Sequence, residues 1–307
     1  MRRFIKDFIL FLIIFFILEK SLILLRNSLP DKELDKRLEH VITGKINADI
    51  VVMGSSRGAR DIVAAQLADS LHTTAYNLSY PGSNIHFHEY LLEGLIKNGN
   101  KKPKMIILAV DDPYEVGEDP SIQFRLDRLY PLVKYKSIRN TLIEHGEKNR
   151  VLSEVFVIHQ LSISNFDPRK KRFTYQDTLF GDGSMPISWQ SKRFNRNFEA
   201  RNVVYNRSDE MQSKIESFTN VIKMCHDNKI VVLLACAPNF SNPTIGFRQR
   251  IMELAGNNSY IVQYDTTNPV YSEADYYYDM AHLKLNGATV FTAEIASYIK
   301  QNKILNR

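Results

Sequence analysis

The chain has 307 residues, 44% of them apolar and 24% charged, an ordinary globular composition with length enough for one large core or two modest ones, which excludes a disordered chain. A formal net charge of +6 and a pI near 9.1 fit some affinity for anionic surfaces, but scattered small excesses of Lys and Arg produce the same values, so charge alone names no partner. The two cysteines, Cys225 and Cys236, have neither metal-ligand nor redox spacing and read as buried free thiols.

Arg2, Arg3 and Lys6 precede the apolar run Phe8–Leu18, and after Glu19-Lys20 the apolar character resumes at Leu22–Leu25. This is a membrane-targeting signature, and no small-x-small cleavage site follows it, so an uncleaved single-pass anchor is preferred to a cleaved signal peptide. The charged pair is costly. The first run contributes roughly −5 kcal/mol of insertion energy and the second roughly −2, which two charges at mid-membrane, at about +2.5 to +3.5 each, would cancel. Glu19 and Lys20 are therefore expected to snorkel toward an interface, or the span to begin near Phe4. The positive residues ahead of the span favour a cytoplasmic N-terminus and an extracytoplasmic body, although Arg26 and Lys32 dilute the asymmetry. Residues 1–28 form the anchor in this reading. A polar connector at 29–48 follows, in which Leu34, Leu38 and Val41 are spaced for a short amphipathic helix.

The body, 49–307, begins with the strand Asp49–Met53 and the turn Gly54-Ser55-Ser56-Arg57-Gly58, after which Ile62, Val63, Leu67 and Leu71 carry a helix. A short strand at Ala75–Leu78, the turn Ser79–Asn84, a helix through Tyr90–Ile96 and a strand at Lys104–Val110 come next. Lys229–Ala235 and Tyr260–Tyr264 are two more strands, and the last helix runs from near Lys284 to Ile299. Strands alternating with helices predict an α/β fold in three layers, flavodoxin-like, with a mostly parallel five-stranded sheet whose ligands gather at the strand C-terminal ends.

The insertion at about 114–207, after the third strand, is far longer than an ordinary connection and must carry structure of its own. Asp127–Glu147 has helical character, and Val151–Ile163 is apolar. Arg169-Lys170-Lys171-Arg172, Lys192, Arg193 and Arg196 interleave with Phe173, Tyr175, Phe180, Trp189, Phe194 and Phe198. That pattern can serve single-stranded nucleic acid, but a rim or lid over the Ser56 turn is the favoured reading, with an anionic polymer rather than nucleic acid as partner.

Two short constellations carry chemistry. Ser56 follows the first strand, where backbone N–H groups converge; helix capping by Ser55 or Ser56 is the plainer alternative. Tyr278-Asp279-Met280-Ala281-His282-Leu283 stands before the last helix. Its spacing suits a helix cap, or a loop in which the carboxylate holds one imidazole nitrogen while the other faces Ser56.

Gly54-Ser55-Ser56, Gly82 and Asp279-x-x-His282-Leu283, in this order, resemble the blocks of the SGNH/GDSL hydrolases. The resemblance implies Ser56 as nucleophile, His282 as general base and Asp279 as its orienting carboxylate. Oxyanion donors would be the N–H groups of Ser56 and Gly82, with Asn84 a candidate third. It implies no metal and no cofactor, and leaves the substrate-binding residues open. One block departs: the family's Gly-x-Asn-Asp is Val110-Asp111-Asp112-Pro113 here, and ionised carboxylates would repel an oxyanion. Gly-Ser-Ser together with the anchor is similar to the membrane-anchored branch that includes alginate O-acetylation and D-alanine-transfer proteins. That likeness implies a serine esterase or O-acyltransferase acting through an acyl-enzyme on an acylated envelope glycan or polymer, with a membrane-bound acyl-transfer partner in the transfer case. The alternative is a catalytically silent relative that binds an envelope glycan or a protein partner.

Overall fold

Five short runs rich in β-branched and aliphatic residues become the strands of one sheet: β1 (Ile50–Gly54), β2 (Ala75–Asn77), β3 (Met105–Val110), β4 (Val231–Cys236) and β5 (Ser259–Gln263). The structure is a computed structural model that describes residues 1–167, 178–198, 200, 202–257 and 259–306. Sheet order is β2-β1-β3-β4-β5, and every neighbouring pair is parallel. β1 and β3 are buried throughout and β4 nearly so, which is why their sequences are continuous apolar runs rather than alternating ones.

The helices are α1 (Arg2–Lys32), α2 (Arg37–Ile42), α3 (Ser56–Asp61), α4 (Ala64–Leu71), α5 (Ile85–Asn98) and α6 (Leu126–Leu129). They continue with α7 (Lys136–Glu144), α8 (Arg150–Val155), α9 (Gln212–Asp227), α10 (Phe247–Ala255) and α11 (Leu285–Gln301). α4 and α11 pack together on one face of the sheet, where Leu67, Phe291 and Ile295 join Ile50, Val52, Ile107 and Leu233 in one core. α5 and α9 pack together on the other face. The result is a three-layer α/β fold of flavodoxin-like kind, and its strand order reverses between β1 and β3, next to the Ser56 turn.

The helix expected after that turn is two helices. Ile62 and Val63 are extended between them, and their peptide groups are held from elsewhere: Asn77 Nδ2 donates to the Ile62 carbonyl at 2.9 Å and Val63 N–H donates to Thr292 Oγ1 at 3.0 Å. The helical character over Asp127–Glu147 is likewise divided, because Pro131 sits in a 3-10 turn at Tyr130–Leu132.

The chain forms two compact units. The first holds the described residues of Met1–Glu39 and Arg125–Arg172; in it α1 packs on the Tyr130–Leu132 turn. α1 is long and apolar enough to cross a membrane. The second unit, His40–Phe124 with the described residues of Phe173–Arg307, contains the sheet. Over 29–48, Leu29, Leu38, Val41 and Ile46 are buried, the first two in the first unit's sequence and the last two in the second's. The Arg169-Lys170-Lys171-Arg172 cluster, Phe173 and Tyr175 lie outside the described residues.

Candidate active site

Gly54 ends β1 with φ 149°, and an added Cβ would stand 2.8 Å from the Ala109 carbonyl oxygen, so only glycine lets the chain turn so close to β3. Ser55 and Ser56 then divide the two roles their sequence allows. Buried Ser55 is the N-cap of α3: its Oγ accepts from the Arg57 N–H and donates to Asp111 Oδ1 at 2.6 Å. Ser56 is left facing His282, with Oγ 2.7 Å from Nε2.

His282 sits in a loop, not in a helix. Tyr277 bridges Leu283, and the Tyr278 N–H donates to the His282 carbonyl at 2.8 Å. Inside this loop Asp279 Oδ1 accepts the N–H of Ala281 at 2.9 Å and of His282 at 3.0 Å, and lies 2.8 Å from His282 Nδ1. With Nδ1 carrying the proton, Nε2 is the acceptor for the Ser56 hydroxyl. Burial pushes the imidazole below its ordinary 6.5, and the Asp279 hydrogen bond and charge offset this only in part. Burial also opposes ionisation of Asp279, but the hydrogen bond and charge of His282 outweigh it and hold the carboxyl below its ordinary value. Both directions favour a neutral imidazole held by a carboxylate at neutral pH.

No known family's profile matches the chain, and no curated protein matches it. Among solved structures, a candidate acylhydrolase from Bacteroides fragilis is similar, with a TM-score of 0.39 and 11% identity, over 88% of this chain and 97% of that one. A likeness of that degree leaves the chemistry to be read from the site's own distances.

Gly82 lies in a turn tied to the end of β1, since the Tyr80 N–H and Ser83 Oγ both donate to the Gly54 carbonyl, at 3.0 and 3.2 Å. Gly82 has φ 74°, a glycine conformation. Among the described residues, the N–H groups of Ser56 and Gly82 have no acceptor. Asn84 is used by the scaffold: Oδ1 caps α5 by accepting from the Phe87 N–H at 3.3 Å, and its own N–H donates to the Gln123 carbonyl at 3.2 Å. Neither bond joins it to Ser56 or His282. No group of three or more His, Cys, Asp or Glu among the described residues could hold a metal ion. Cys225 and Cys236 are buried free thiols, each pushed up to about 12 by burial.

Two residues of the site escape a reading by motif. Arg57, directly after Ser56, is buried with its guanidinium 3.5 Å from Asp111 Oδ1; it donates to the carbonyls of Asp112 and Ala237 and to Asn239 Oδ1. The expected repulsion from Asp111 and Asp112 is thereby changed. Burial raises the Asp111 pKa against the opposing pull of Arg57 and Ser55, and Asp112 Oδ2 accepts from the Thr244 N–H at 3.1 Å. Both carboxyl groups are tied into the scaffold. Asp61 ends α3, and its Oδ1 accepts the N–H of Leu283, the residue after His282, at 2.9 Å. Burial pushes this carboxyl well above its ordinary value, against the opposing pull of the Leu283 hydrogen bond and of Arg57 and Arg60. The helix that opens with Ser56 therefore closes by gripping the loop of His282. An acid at a helix C-terminus, where the dipole disfavours a charge, was the one signal available for it.

From the insertion, Ser191 N–H donates to the Tyr278 carbonyl at 2.8 Å and Trp189 meets the Tyr278 ring edge-on at 4.9 Å. Phe194, packed against the core, and the exposed Phe198 meet the buried Phe240 ring at 5.1 and 5.3 Å. Arg196 pairs with Asp275 at 2.6 Å.

Proposed function

We propose that this chain is a serine esterase or O-acyltransferase, held at a membrane by α1, that acts on acyl esters of an envelope glycan or polymer through an acyl-enzyme on Ser56. The observation that carries the reading is the continuous path Asp279–His282–Ser56, at 2.8 and 2.7 Å. A Ser hydroxyl alone is a poor nucleophile at neutral pH, and an oriented neutral imidazole beside it supplies the missing base. As Ser56 Oγ bonds to the ester carbonyl carbon, its proton passes to His282 Nε2 and the carbonyl oxygen becomes an oxyanion. The N–H groups of Ser56 and Gly82 are the donors for that charge, and Asp279 favours the imidazolium. Collapse breaks the bond to the leaving oxygen, which takes the proton from Nε2. Water or an acceptor hydroxyl then attacks the acyl-Ser56 by the same path in reverse, giving hydrolysis or transfer. The anchor and the Gly-Ser-Ser block support an envelope substrate, and transfer would require a membrane-bound acyl donor partner.

The presence of Asp111-Asp112 where an Asn donor would stand favours a second reading, a silent relative that binds an envelope glycan or a protein partner. Labelling of the folded, full-length protein by a fluorophosphonate decides between them. The enzyme reading expects an adduct on the Ser56 peptide that is lost in Ser56→Ala and His282→Ala and kept in Ser55→Ala. A folded protein that takes no label supports the silent binder. Labelling that survives Ser56→Ala overturns the nucleophile assignment.

A further inference from the structure

Glu19 and Lys20 interrupt the apolar run of α1, and both are met by peptide groups of one distant segment. Glu19 is buried; its Oε1 accepts the N–H of Val157 and, at 3.2 Å, of Ile158, while its other oxygen lies 2.9 Å from Lys20 Nζ. Lys20 Nζ in turn donates to the Val155 carbonyl at 2.6 Å. One turn earlier on α1, Phe16 stacks on Phe156 at 6.2 Å and Phe15 meets the same ring edge-on at 6.4 Å. Further along, Arg26 donates to Gln160 Oε1 at 2.8 Å. Residues 155–160 therefore run alongside residues 15–26 of α1.

That level lies below a membrane surface if α1 spans. At 1.5 Å per residue, Phe4 to Leu18 reaches about 22 Å, short of a hydrocarbon core of about 30 Å, whereas Phe4 to Leu24 reaches about 31 Å. The span must then run past Glu19 and Lys20, and whatever packs on them lies in the leaflet too. The segment is suited to that place. Val151 is 68% exposed, and Leu152, Val155 and Ile158 are exposed as well. Val151 and Val155 share one row of α8, while Arg150 and Glu154, four apart on another row, are spaced to pair with each other.

We propose that Arg150–Ile158 is a membrane-inserted element. It enters the leaflet beside the C-terminal half of α1, supplies the peptide groups that Glu19 and Lys20 require there, and presents Val151, Leu152, Val155 and Ile158 to lipid acyl chains. In hydrocarbon a carboxylate and an ammonium without such partners would be expensive, whereas on a water-exposed helix solvent would serve and no dedicated segment is needed. The proposal rests on the reading of α1 as an anchor and not on the catalytic reading.

Nitroxide labels at Val151→Cys and Val155→Cys, in full-length protein reconstituted in phospholipid bilayers, test it, with Ile9→Cys in α1 and the exposed Lys223→Cys as references. Ile158→Cys replaces either site if that variant fails to fold, and the unlabelled parent thiols Cys225 and Cys236 are buried. Collision with oxygen relative to a water-soluble nickel chelate should shift at 151 and 155 to the ratio found at Ile9. Ratios at 151 and 155 equal to that of Lys223, with Ile9 lipid-like, overturn the proposal and leave the anchor standing. If Ile9 itself behaves like Lys223, the anchor reading fails and the proposal with it.

Discussion

One atom, Asp279 Oδ1, accepts from two peptide N–H groups of its own loop and from the imidazole, so the shape of the loop and the orientation of the base share a cause. Asp279→Asn keeps an oxygen for the peptide groups while replacing the charged carboxylate with a neutral amide, which makes it the discriminating substitution. Asp279 raises the His282 pKa, and burial has already brought it below 6.5, so removing the carboxylate lowers it further. The acid limb of kcat/KM, where the base becomes protonated, is expected to lie below pH 6.5 in the parent and to move to still lower pH in the variant. The plateau should fall on the order of 10²- to 10⁴-fold, as the developing imidazolium loses its counter-charge. An acid limb that stays in place or moves upward in the variant would mean that Asp279 is not what His282 senses. Asp61 acts more quietly: it accepts the Leu283 N–H, and so bears on His282 through the backbone.

At the scale of elements, the segment leaving β3 is closed on itself, with the Asp111 N–H donating to Glu115 Oε2 at 2.8 Å and the Glu115 N–H to the Asp111 carbonyl at 2.7 Å. Burial, and next the charge of Asp111, push the Glu115 carboxyl up to about 8. Its folded pKa thus lies above its unfolded value of 4.5, and the stability it contributes is complete below pH 4.5 and is lost as pH rises toward 8. Glu115→Gln keeps an acceptor for the Asp111 N–H and cannot ionise. Between pH 5 and pH 8 the free energy of unfolding should therefore fall more in the parent than in the variant, by an amount on the order of a few kcal/mol. Parallel profiles would show that Glu115 does not titrate in that window. Elements of this kind differ in how far a sequence reveals them. β1, β3 and β4 are legible because a parallel sheet covered on both faces demands unbroken apolar runs. Asp279 and His282 are legible because their partnership is local, three residues apart. Arg57, Asp61 and the break at Ile62-Val63 are not, since each is defined by a group on another element: Asp111, Leu283 and Thr292. Asn84 has a second use that its turn position did not announce: its Oδ1 caps α5, a bond that does not involve the amide Nδ2.

For the whole molecule, the same limit of legibility applies to the amino terminus, which composition marks as apolar and basic but cannot pair with residues more than a hundred positions away. Those partners bear on whether the segment is retained. Loss of everything up to about Leu25 would remove Glu19 and Lys20, leave the N–H groups of Val157 and Ile158 without their acceptor, and take Phe15 and Phe16 from Phe156. Hydrogen bonds to a charged group are worth about 1.5–3 kcal/mol each, and losing two of them together with the contacts of Phe156 would weaken the first unit. We therefore expect protein extracted from membranes to yield peptides that include Phe8–Leu25, and protease added to spheroplasts to digest the second unit, in keeping with Arg2, Arg3 and Lys6 remaining on the cytoplasmic side. A soluble form whose first residue lies just beyond Leu25 would instead identify a cleaved signal peptide. Protection of the second unit under conditions that cut a periplasmic control would reverse the orientation, and with it the case for an envelope substrate.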